Sequence, residues 1–266
     1  MADQKDVKET SGDLKPTVAD RPTDRPTSFL SLPSEIRNGI YNFILLYQEP
    51  INPWSHKNLT LGLLRANMVI HDEAGSLFYG QNHFDFTDAT AEEIGSFLQQ
   101  IGSNNAGQIQ HILIDFPEFL YLDPGDVILK EGSVDILANI WNGCANVSTL
   151  TTSLWSTNAM EVRLDNLEHH RIAFEALELV DTHFRAISSV REIILEVYQD
   201  GPSDHIRGLM RSRGWTINTT EYVEEEDSRR SFSDFDDDDD DYGYDDADYD
   251  DYDIDNDSDF WRRAAD

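Results

Sequence analysis

The residues that could do chemistry are few, and their spacing suits it poorly. His169 and His170 stand beside Glu168, and His71-Asp72-Glu73 is a second imidazole–carboxylate run. Such types could hold a metal or shuttle a proton. Both runs fall on expected helices, where adjacent residues point about 100° apart and do not converge on one ion. Solvated helix faces are the favoured reading in both places. Cys144, the one cysteine, follows Gly143 with no activating partner near it in sequence. It reads as a small apolar filler rather than a nucleophile, and a single thiol excludes an intrachain disulfide. There is no G-x-S-x-G elbow, Walker loop, G-x-G-x-x-G or H-E-x-x-H. No catalytic residue, cofactor site or metal site is assigned. The expectation is a non-enzymatic protein that acts by binding.

The elements that would position a binding surface begin at Leu32. Leu32, Ile36, Ile40 and Phe43/Ile44 recur at helical spacing and form one apolar stripe. Pro33 suits a first helical turn, Glu35 complements the helix dipole, and Leu32 can fold back as a staple. Pro50 and Pro53 close the segment. A second helix is expected over 61–79, with Leu63, Ala66/Asn67, Ile70, Ala74 and Leu77/Phe78 as its stripe and Gly80 as its stop. Asn82–Phe86 alternates like a short strand.

Beyond residue 86, helix patterns at 91–101, 133–142, 167–188 and 203–213 alternate with strand patterns at 109–116, 147–155, 190–198 and 215–223. That alternation predicts an α/β fold with mainly parallel strands and right-handed crossovers. Ile109-x-x-Ile112-x-Ile114, Val147-x-x-Leu150-x-Thr152 and Val190-x-x-Ile193-x-Leu195 share one frame, that of a leucine-rich-repeat strand. Their spacing is longer than such repeats use. The expectation is an irregular, leucine-rich-repeat-like β-α array, with generic βαβ structure as the alternative. Trp155 closes one frame and is expected at a sheet edge or in the core.

Charge is unevenly placed. The 266-residue chain carries a net −32, and residues 224–266 hold 21 acidic and 4 basic residues of it. The rest remains acidic, which opposes attraction to nucleic acid or an anionic membrane. The acidic tail, and the polar, Pro-containing residues 1–27, are expected to be disordered. Tyr242, Tyr244, Tyr249, Tyr252, Phe260 and Trp261 punctuate the tail, and Ser231 and Ser233 each have Asp three residues on. A solvating charge run and an arm for a basic partner both fit. Neither a leader nor an apolar span is evident, so an intracellular location, cytoplasm or nucleus, is expected.

One combination is narrower. Phe29-Leu30-x-Leu32-Pro33-x-Glu35-Ile36-Arg37-x-x-Ile40-Tyr41 is followed by Leu63-Leu64-Arg65-x-Asn67, by Ile70-His71-x-Glu73-Ala74 and by Phe78-Tyr79-Gly80-x-Asn82-x-Phe84-x-Phe86. This series resembles a group of fungal F-box-like proteins, mostly uncharacterised. The resemblance implies an F-box-like helical segment over 28–80 that docks a Skp-type linker of a cullin–RING ubiquitin ligase. It further implies an α/β partner-binding domain over 81–223 for an unknown protein substrate. On it, Leu32, Pro33, Ile36, Ile40 and Ile44 would face the linker, and Leu63 and Leu64 would belong to the closing helix of the module. The Cys and Trp common late in an F-box are not evident; Asn67, Met68 and Ile70 occupy that region. The alternative is an acidic scaffold or chaperone-like binding protein with no ubiquitin role.

Overall fold

The computed structural model describes residues 28–55, 61–201 and 204–221. The segments expected to be disordered, with the tail aromatics and serines, lie outside the described residues. The chain divides into two units, residues 1–37 and 38–266.

In the first unit, a 3-10 turn at Phe29–Ser31 leads through Leu32 and Pro33 into α1 (Ser34–Leu45). The Pro33 carbonyl accepts from the N–H groups of Ile36 and Arg37, at 3.0 and 3.1 Å, and so opens the helix. Arg37 reaches back, its Nη1 donating to the Leu32 carbonyl at 2.6 Å.

The second unit takes up the rest of α1. A 3-10 segment at Leu61–Arg65 comes before α2 (Met68–Gln81) and β1 (His83–Asp85). The continuous helix expected over 61–79 is therefore broken. Asn67 causes the break: its backbone is extended and its Oδ1 accepts from Ile70 N at 3.0 Å, capping α2. Next come α3 (Ala91–Ala106), which turns at Gly102 (φ 78°), and β2 (His111–Ile114). A hairpin of β3 (Phe119–Asp123) and β4 (Asp126–Leu129) follows, with Gly125 at its tip in the left-handed region. The remaining order is α4 (Glu131–Gly143), β5 (Thr149–Thr152), α5 (Leu154–Asp165), α6 (His170–Ala186), β6 (Glu192–Tyr198), α7 (Asp204–Ser212) and β7 (Thr216–Thr220).

Five strands form one wholly parallel sheet in the order β1-β2-β5-β6-β7, which is their order in the chain. In such an order, crossovers of one hand carry their helices to the same side. The registers show that one face of the sheet is the buried one. Phe84, Ile112, Leu150 and Ile193 share one row, and all four are buried. Ile114, Thr152 and Leu195 share the next buried row. The three frames read in the sequence thus align strand to strand.

The core lies between this face and the helices. Phe84 packs edge-on to Phe78 and stacks on Tyr79 of α2, with both ring centroids 5.9 Å away. Phe97 of α3 contacts Phe84 and Phe86. A second aromatic cluster joins Phe116, Phe184 of α6 and Trp215, whose Nε1 donates to Asp181 Oδ1 at 2.8 Å. Trp54 packs on Phe86 and Phe97. The mixed α/β class and parallel sheet agree with the sequence pattern.

Trp155 departs from expectation. It does not end a strand but lies in the first turn of α5, where it is 76% exposed. Ser153 stops β5 early: its Oγ accepts from Ser156 N at 3.4 Å and caps the helix. No helix among the described residues is long and apolar enough to cross a membrane.

Candidate functional site

The first candidate surface is α1. In the first unit Leu32 is half-buried, Pro33 is exposed and Ile36 is 53% exposed. In the second unit Tyr41 and Leu45 are completely buried, Ile40 is half-buried, and Phe43 and Ile44 are 91% and 37% exposed. The expected stripe is therefore not what holds the helix down. Tyr41 and Leu45, one helical turn apart, do that.

Polar joints complete the attachment. Tyr41 Oη donates to Glu73 Oε2 at 3.0 Å. Asn82, buried after α2, donates from Nδ2 to the carbonyls of Leu45 and Phe78 at 2.8 and 2.9 Å, and its Oδ1 accepts from Tyr47 N at 2.9 Å. One side chain thus satisfies three backbone groups where α1 and α2 end. Tyr41, Glu73 and Asn82 belong to the combined sequence pattern, and geometry gives each an internal task.

The two closing-helix positions separate. Leu63 is half-buried, whereas Leu64 is only 1% exposed. Leu64 sits in the 3-10 segment folded onto α2, where His71 Nδ1 lies 2.8 Å from its carbonyl oxygen. Burial leaves Leu64 no area for a linker, so of the two closing-helix positions only Leu63 has surface to offer one. Met68 and Val69 at the start of α2 are exposed apolar residues that the sequence pattern did not single out.

The second candidate surface is the face of the sheet opposite the core. Its first row is His83, His111, Thr149 and Glu192; its second is Asp85, Leu113, Thr151, Ile194 and Thr216. Glu196 pairs with Asn218, and Tyr198 with Thr220, further along. His83, Glu192, Thr216, Asn218 and Thr220 are exposed, and Leu113, Thr151, Ile194 and Glu196 are half-buried. This is the partial cover that neighbours across strands provide. Leu195 and Val197, between those residues but on the core face, are completely buried.

The rings of His83 and His111 stack with centroids 4.7 Å apart. His111 Nδ1 is buried without a hydrogen-bond partner. Burial and then the charge of His83 hold the His111 imidazole below its ordinary pKa, and Glu192 opposes them.

The C-terminal ends of β2 and β5 open into a cleft of about 440 Å³, lined by Asp88, Asp115, Glu118, Trp155, Met160 and Arg163 among others. Asp115 is the fixed point. Its Oδ1 accepts from Ser153 Oγ at 2.7 Å and its Oδ2 from Asp88 N at 3.1 Å. Asp88 holds a left-handed backbone, φ 58°, which an Asp side chain tolerates. Glu118 is paired with Lys130 at 2.6 Å, and Arg163 Nη1 donates to the Phe119 carbonyl at 3.1 Å.

The candidate catalytic residues do not assemble. His170 lies against His205, with ring centroids 4.6 Å apart. His71 and Glu73 are engaged in the joints just described. Cys144 is buried, and burial pushes its thiol up to about 12, so it stays protonated at neutral pH. Among the described residues no three His, Cys, Asp or Glu side chains are grouped to hold a metal. No family model, no curated protein and no solved structure matches the chain.

Proposed function

We propose that this chain is a non-enzymatic interaction module, an F-box-like adaptor that docks a Skp-type linker through α1 and presents a protein substrate on its α/β body. The observation that carries the reading is the division of labour on α1. Tyr41 and Leu45 fasten the helix, and the apolar side chains Phe43 and Ile44 stay uncovered. A large apolar side chain gains about 1.5–3 kcal/mol when an interface covers it, and an uncovered apolar set is a recognised mark of an interaction surface. Leu32, Pro33, Ile36, Ile40 and Ile44 are the linker-facing set, joined by Phe43 and, from the closing segment, by the half-buried Leu63 rather than the buried Leu64. In this reading the ubiquitin-transfer chemistry belongs to the assembled ligase.

The test is co-purification of the full chain with a recombinant Skp-type linker, using Ile36→Asp/Ile44→Asp as the variant. Both side chains are substantially exposed, so the variant should melt with the parent chain while losing the linker. Failure of the parent chain to bind, or undiminished binding by the variant, would refute the adaptor reading.

A further inference from the structure

The sheet face opposite the core carries acidic side chains and no basic ones. Asp85 on β1, Glu192 and Glu196 on β6, and Asp115 just past β2 stand with two imidazoles, and no strand position on this face holds Lys or Arg. Leu113 and Ile194 lie in one row between the carboxylates, separated by Thr151. Charge of one sign around a modest apolar strip specifies the complement: a basic, partly apolar stretch of protein. The same charge repels nucleic acid and anionic lipid.

We infer that this face binds a basic segment of a protein partner, and that the cleft at its C-terminal edge receives one Lys or Arg side chain between Asp115 and Trp155. This deepens the adaptor reading, on which it rests, by naming the class of substrate.

The cleft has the parts for a cation. Asp115 is held by Ser153 and Asp88, yet each of its oxygens has accepted only one of these bonds, and a carboxylate offers about four acceptor positions. Trp155 lines the same cleft and is largely exposed, and an indole is the best aromatic partner for a cation. Arg163 is the opposing charge in the lining, and its Nη1 is committed to the Phe119 carbonyl.

Register sets the spacing of the ligand. Leu113, Thr151 and Ile194 are row partners; Asp115, just past the end of β2, and Glu196 on β6 each follow their row residue by two positions. Those strands are two apart in the sheet, about 10 Å. An extended chain covers that distance in about three residues. The segment crosses the strands, with basic residues three apart.

The test uses the full chain and a synthetic peptide of repeated Arg-Leu-Ser units, with the Glu-Leu-Ser peptide as control. Titration of the basic peptide should shift the Trp155 indole N–H and the methyl signals of Leu113 and Ile194. Asp115→Asn/Glu196→Gln should weaken binding by more than about tenfold, the loss expected for a single charge-assisted bond. Trp155→Ala, an exposed substitution that leaves the core intact, should weaken it as well. Equal binding by the variants, equal binding of the acidic peptide, or shifts that miss this face would overturn the proposal. Ile36→Asp/Ile44→Asp should leave peptide affinity unchanged, so failure here and failure of linker docking are read separately.

Discussion

The Arg207 guanidinium on α7 meets the Glu161 carboxylate on α5 in a two-point contact, Nε to Oε1 at 2.7 Å and Nη2 to Oε2 at 3.1 Å, with both residues buried. Arg207 also donates to the carbonyls of Tyr198 and Gln199 where β6 ends. One side chain therefore ties two helices and a strand terminus. Removing one partner of such a pair strands a charge without water. Glu161→Leu should lower the unfolding free energy by about 3–5 kcal/mol in urea titration. Glu161→Leu/Arg207→Met should recover much of that, since a packed apolar pair replaces the ions. An intact stability in the single variant would show that the pair is a bystander. Gly201→Ala should act in the same direction, because a Cβ there would overlap the guanidinium.

Asn82 should matter more than its size suggests. Asn82→Ala removes the Oδ1 acceptor of the Tyr47 N–H and withdraws the Nδ2 bond to the Leu45 carbonyl. Each buried polar group left unsatisfied costs about 1–3 kcal/mol. The loss should be local as well as global, with amide exchange in the second half of α1 accelerating beyond that in β5 and β6. Uniform acceleration would argue against a hinge-like joint at this point.

Stability should fall on acidification through the His83–His111 stack. The folded His111 imidazole titrates below its ordinary value, whereas in the unfolded chain it titrates near 6.5. Between these values the unfolded chain binds the extra proton, so stability rises with pH there. The contribution is complete above about pH 6.5 and is lost as pH falls toward the folded value. His111→Gln should flatten the melting-temperature profile in that window. Coincident slopes for parent and variant would refute the assignment.

Much of the fold was legible from periodicity. Strands appear within all five expected segments because Ile112/Ile114, Leu150/Thr152 and Ile193/Leu195 alternate toward one core. Helix α5 was hidden because two of its four buried positions, Thr157 and Glu161, are polar. Both are satisfied by long-range or capping partners that spacing does not reveal: Thr152 for one, Arg207 for the other. The β3–β4 hairpin was missed because its exposed Leu120, Tyr121 and Ile128 interrupt any two-residue alternation.

The candidate surfaces were legible to different degrees. The apolar spacing of α1 was evident, but which face would be spent internally was not. Tyr41 stands in the sequence as one position of a motif, and its partner Glu73 lies on another helix. The cleft could not be read at all, since Asp115 and Trp155 line it together only once β2 and β5 take up their register.

Strands laid side by side in chain order give this body a direction of growth. Each crossover needs only the strand before it as a template, so the sheet can assemble by accretion, without threading one segment between two others. The same property leaves room for extension: a β-α unit added beyond the β7 edge would widen the open face of the sheet while the pairings behind it stayed as they are.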